Sequence, residues 1–128
     1  MDNIPPQGAS PDQGKTGLVR LYRAFGYSMS GLTAAFRHED AFRQEVVCAL
    51  VLIPAAFWLA DAPLHRALLV ASVLLVLIVE LLNSALEAAV DRISLERHAL
   101  AKQAKDIGSA AVFMSIVNAV VVWAILLW

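Results

Sequence analysis

ELLNSALEAAVD, residues 80–91, follows the apolar run Leu64–Val79 with no turn signal between them, so one helix is expected to carry both. At about 100° per residue, Glu80, Asn83, Ser84, Glu87 and Asp91 fall within an arc of about 100°, and Leu, Ala and Val fill the remaining faces. A charged side chain at the centre of a bilayer costs roughly 2.5–3.5 kcal/mol on insertion scales, and such residues face a bundle interior or a water-filled site. The stripe is therefore the first candidate for a working site. Leu64–Val79 would span roughly 24 Å as a helix, against a hydrocarbon core of about 30 Å, which puts Glu80 at the membrane edge. Glu45 just precedes the first apolar span and Asp106 just precedes the third, so these three acids are expected at one depth, with Glu87 roughly 10 Å further toward water.

The composition agrees with a membrane setting. The 128 residues are 59% hydrophobic and 16% charged, and the mean hydropathy is +0.66, too apolar for an ordinary soluble domain of this size. A net charge of −1 offers no broad basic field for nucleic acid. The single cysteine, Cys48, has no intramolecular partner and is expected to be a buried helix-packing residue. No basic-then-apolar signal peptide opens the chain, so the mature helices would direct insertion themselves.

Moving outward, residues 1–15 are rich in Pro, Gly, Gln and Asp and read as a disordered tail. Gly8 and Gly14-Lys15-Thr16 resemble a phosphate-binding loop, but five residues separate the glycines where four are required, and no strand precedes them. From Leu18 to Phe36 the apolar residues form one stripe while Arg20 and Arg23 lie off it, the pattern of a helix lying in the membrane interface or packing its stripe on its own protein. Gly26 and Gly31 make a break or a close helix contact plausible there. Glu39 and Arg43, four apart, are expected to form a surface pair.

Three apolar spans follow: the first from Val46 to Ala60 with Pro54 inside it and Trp58 suited to an interface belt, the second from Leu64, the third from Ile107 to Trp128. Nine of the ten Lys and Arg lie before the first span or between the second and third, which predicts a cytoplasmic N-terminus. Ser84, Ser109, Ser115 and Asn118 are read as candidate helix–helix hydrogen bonds, and Gly108, Ala110 and Ala111 as residues suited to close packing.

The stripe faces a second polar set, because Lys102, Lys105, Asp106 and Ser109 share a face if helical. Carboxylates are hard ligands for Mg²⁺, lysines meet phosphate oxygens, and a carboxylate beside a hydroxyl accepts its proton. This inventory suits phosphoryl transfer. It also suits a cation- or proton-coupled transporter, or a non-catalytic membrane subunit, and spacing leaves these open; a transporter predicts acids through the depth of the span rather than gathered at one end.

The long motif, Glu80 to Asp91, resembles the signature of the prokaryotic integral-membrane diacylglycerol kinases, and the likeness extends through 104–112, Gly26-Tyr27-Ser28, Ala34-Ala35 and Glu39 to Glu45, covering about Leu18 to Trp128. The resemblance implies an all-α integral membrane fold: a surface helix at about 18–37, transmembrane helices at about 45–61, 64–91 and 106–128, and assembly as a homotrimer. Residues 16–128 would then be one membrane kinase domain in the bacterial inner membrane. The implied reaction moves the γ-phosphate of ATP to diacylglycerol with Mg²⁺ as cofactor.

Site roles implied by the resemblance are Glu80 as catalytic base with Asn83 supporting it, and Glu39 and Glu87 as Mg²⁺ ligands. ATP would meet Arg20, Tyr27, Glu39, Glu87, Glu96, Arg97, His98, Lys105 and Asp106. The lipid would meet Arg20, Ala24, Tyr27, Ser28, Ala35, Phe42, Arg43, Gln44, Glu45, Trp58, Glu80 and Ser109. Related undecaprenol kinases share the long motif but lack a segment like Phe42 to Glu45, so its presence favours diacylglycerol.

Overall fold

A computed structural model of the chain describes residues 16–93 and 98–128, and every regular element among them is an α-helix: α1 (Gly17–His38), α2 (Asp40–Leu59), α3 (Pro63–Ile93) and α4 (His98–Leu127). The last three are long and apolar enough to cross a membrane. The chain divides into two compact units, one ending at Ala34 and one spanning Ala35–Trp128.

In the first unit, α1 runs unbroken through Gly26 and Gly31, which corrects the expectation of a break there. Ser28 and Thr33 donate to the carbonyls of Ala24 (2.9 Å) and Met29 (2.8 Å) one turn back, so both hydroxyls are satisfied within the helix.

In the second unit, α2 and α4 each pack chiefly on α3. Helical backbone begins well before the apolar sequence does, at Asp40 and at His98, because charged side chains at the membrane boundary are as compatible with a helix as apolar ones within it. The chain between α1 and α2 turns at Glu39, whose backbone is extended. Arg43 fixes that turn: its Nη1 donates to the carbonyls of Phe36 (3.0 Å) and Arg37 (2.8 Å) at the end of α1, and its Nη2 pairs with Asp40. A cation over the last carbonyls of a helix meets acceptors that have no partner within the helix. Arg43 therefore takes Asp40, not Glu39, as its acid, a correction to the expected i,i+4 pair.

At the opposite end, Pro63 opens α3, where its missing N–H costs nothing. Arg66 Nε donates to the Ala60 carbonyl (3.0 Å), closing the end of α2. Ala56, Ala60 and Leu69 form the fully buried cluster, with Val70, Val122, Trp123 and Leu126 packed on it. Small alanines on α2 allow close approach to α3, the usual device where lipid removes the hydrophobic drive between helices.

Trp123 locks α4 to α3. Its indole N–H lies 3.1 Å from Ser72 Oγ and 3.3 Å from the Leu69 carbonyl, while the Ser72 hydroxyl itself donates to Leu69 (2.7 Å). Trp123→Phe removes the only polar tie described between these helices at that depth and is expected to destabilise the bundle by about 1 kcal/mol, as read by reversible unfolding in mixed micelles. Little further loss is expected on adding Ser72→Ala; additive losses would mean the two side chains act separately.

Two packing expectations are corrected. Cys48 is exposed, on a face of α2 turned away from the buried Ala49 and Ala56. Ser115 is buried but donates to Val112 of its own helix (2.7 Å) rather than across helices.

Candidate active site

The end of the second unit opposite the Ala–Leu cluster is acidic. Glu80, on α3, is buried with 5% of its surface exposed. The motif places it there: Leu69, Ser72, Val73 and Glu80 form the inward stripe of α3, and Asn83, Ser84 and Glu87 continue it half-buried. Asp91, one turn beyond, is exposed.

Three more carboxylates gather around Glu80. That of Glu45, on α2, lies within hydrogen-bonding reach of it, and Glu39 and Glu87 are close enough to interact with it electrostatically. Glu45 Oε2 is buried with no hydrogen-bond partner. Glu39 heads α2 and its side chain makes no capping hydrogen bond, so the helix itself does not use that carboxylate. Glu87 Oε1 accepts from Asn83 Nδ2 at 3.3 Å. Asn83 Oδ1 and Ser84 Oγ are buried with no partner.

Lysines border the cluster. Lys105 pairs with Asp91, bridging α4 to α3, and is near enough to Glu87 to feel its charge. Lys102 donates to Asp106 (2.6 Å) along the exposed side of α4. Of the second polar face, Lys105 meets the stripe through Asp91, while Lys102, Asp106 and Ser109 are exposed.

Among the described residues no three His, Cys, Asp or Glu side chains come together as a metal cage. A protein-only site is not what Mg²⁺ requires, because it commonly takes one or two carboxylates and completes its shell with water and phosphate oxygens. Glu39 and Glu87, each left with unused oxygen acceptors around a buried carboxylate, fit that kind of partial site. Carboxylates brought this close repel one another unless they share a cation or a proton.

The remaining expected positions divide by place. Arg20, Ala24, Tyr27 and Ser28 lie on α1 in the first unit, all exposed. Ala35 and Phe42 are buried in the second unit, whereas Gln44, Trp58 and Ser109 are exposed. Glu96 and Arg97 lie outside the described residues, and His98 is placed only as the first residue of α4. Sequence reasoning put Glu45 and Glu80 at one depth but did not foresee their contact. It also read Gly108 as a packing residue without its neighbour, which proves to be Asn83.

A model of the prokaryotic diacylglycerol kinases matches residues 26–127 and so takes in all of α2, α3 and α4. The chain belongs to this family. It is 58% identical over 118 residues to the diacylglycerol kinase of Pseudomonas aeruginosa, covering 92% of this chain and 96% of that protein. It is 54% identical over 113 residues to the Escherichia coli K12 diacylglycerol kinase, 88% of this chain and 93% of that one. Against the Haemophilus influenzae diacylglycerol kinase it is 48% identical over 108 residues, 84% and 92% of the two chains. Glu39, Glu45, Glu80 and Glu87 all fall inside the matched region.

Proposed function

We propose that this family member transfers the γ-phosphate of ATP to the hydroxyl of diacylglycerol at the membrane surface, giving phosphatidate and ADP. The observation that carries the reading is the buried Glu80 at the lipid end of a polar stripe whose other end reaches Glu87 and Lys105. The acceptor hydroxyl resides in the bilayer surface and the phosphate donor arrives from solution, so a stripe that grades from buried to exposed suits both. Glu80 takes the hydroxyl proton as the lipid oxygen bonds to the γ-phosphorus, and the bond from that phosphorus to the β–γ bridging oxygen breaks to release ADP.

Glu39 and Glu87 would hold Mg²⁺ with the nucleotide, and Asp91 orients Lys105 toward the phosphates. When bound, the cation neutralises charge on the β- and γ-phosphates. Lys105→Met is expected to raise the KM for ATP roughly tenfold or more while the KM for diacylglycerol holds, the loss of one charge-assisted contact. Initial rates at varied ATP and at varied lipid check it, and equal effects on both substrates would remove Lys105 from the nucleotide.

In the same reading α1 lies in the membrane interface with its apolar stripe inward, the N-terminus is cytoplasmic, the membrane is the bacterial inner membrane, and three copies associate. Purified protein in mixed micelles with labelled MgATP and either diacylglycerol or undecaprenol tests the reaction. Phosphate on neither lipid would sink it, and a preference for undecaprenol would change the substrate.

A further inference from the structure

Gly108 sits on the face of α4 turned toward α3, beside the polar face and at the level of Asn83. A glycine inside a helix costs up to about 1 kcal/mol relative to alanine, so its place there calls for a reason. The backbone supplies none, since α4 is regular through it. The reason is across the helix pair: a Cβ at 108 would overlap Asn83 Oδ1 outright and would touch Asn83 Cγ and Leu86 Cδ2, each at 3.4 Å. Asn83 thus occupies the volume a side chain at 108 would need.

That seat sets the amide's orientation. With Oδ1 turned toward α4, where it is buried and unpartnered, Nδ2 points along α3 to Glu87 Oε1 at 3.3 Å. Leaving a buried carbonyl oxygen without a donor is unfavourable by roughly 1–3 kcal/mol, so the amide would not choose this pose for its own sake. The missing Cβ at 108 makes room for it.

We propose that Gly108 is a positioning residue of the phosphoryl-transfer site, holding the Asn83 amide in the orientation that tethers Glu87. The inference rests on the kinase reading above, and its test is built to separate the two. In Gly108→Ala the overlapping atom is the far end of a side chain that can rotate, so the bundle is expected to assemble and unfold as the parent does. The displaced amide should release Glu87. The expected result is a tenfold or greater fall in kcat and a higher Mg²⁺ requirement, with the KM for diacylglycerol unchanged, together with a moved side-chain amide signal of Asn83 in ¹⁵N NMR of the micellar protein, assigned by its loss in Asn83→Ala.

Parent-like kcat and Mg²⁺ dependence in Gly108→Ala overturn the proposal, as does a loss of kcat with the Asn83 signal unmoved. If Gly108→Ala fails to assemble, Asn83→Ala/Gly108→Ala decides: restored assembly upholds the clash with Asn83, and continued failure overturns it. A parent protein inert toward MgATP and diacylglycerol would end the kinase reading, while the Asn83 signal would still report whether Gly108 seats the amide.

Discussion

Glu80→Gln is expected to lower kcat by about 10²–10⁴-fold, the range that a positioned general base contributes, while leaving the bundle assembled. The substitution keeps the shape of the side chain and its capacity to hydrogen-bond, and removes the lone pair that would take the lipid hydroxyl proton. Burial makes the change tolerable to the fold. Glu80 is 5% exposed and adjoins the carboxyl of Glu45, so a neutral amide relieves a like-charge contact and gives Glu45 a donor. Loss of activity with unchanged or improved thermal stability is therefore the signature expected from kinetics and unfolding measured on one preparation. Retained turnover would remove Glu80 from the role of base, and loss of assembly would make it a structural residue.

Glu87→Gln should act on the donor side. Its Oε1 accepts from Asn83, and a glutamine oxygen can still do so, but the hard anionic ligand is gone. Replacing the outer-shell partner of a metal ligand already costs roughly 10–100-fold in metal affinity, so loss of the ligand itself is expected to cost at least that. Titrating activity with Mg²⁺ at fixed ATP should show the midpoint displaced upward by that factor, with excess Mg²⁺ restoring part of the rate. Glu39→Gln is expected to do likewise. An unchanged Mg²⁺ midpoint in both variants would remove the cation from this pair of carboxylates.

Much of this arrangement was legible in residues 80–91. A helical period applied to Glu80, Asn83, Ser84, Glu87 and Asp91 places them on one face, which α3 turns inward as far as Glu87 and leaves exposed at Asp91. The common level of Glu45 and Glu80 was legible too, because counting residues brings each to the end of its apolar span. Polar pairings were less so. Arg43 has Glu39 four residues before it and Asp40 three before it, and periodicity does not distinguish them; the turn at Glu39 does, by bringing the end of α1 under the guanidinium. Cys48 was misread for a similar reason, since composition marks a residue as apolar without saying which apolar face of α2 meets α3.

By itself, the sequence determined the helices, their membrane character, the acid stripe and the family. Each depends on local period, run length or motif, which neighbours in the chain set. Only the tertiary structure decided that the Glu45 carboxyl meets Glu80, that Lys105 reaches across to Asp91, that Trp123 hydrogen-bonds to Ser72, and that Asn83 fills the space beside Gly108. Those contacts join residues on different helices, and they depend on how closely and at what rotation the helices pack. Along α3 the period says which way Asn83 points; what it points at belongs to α4.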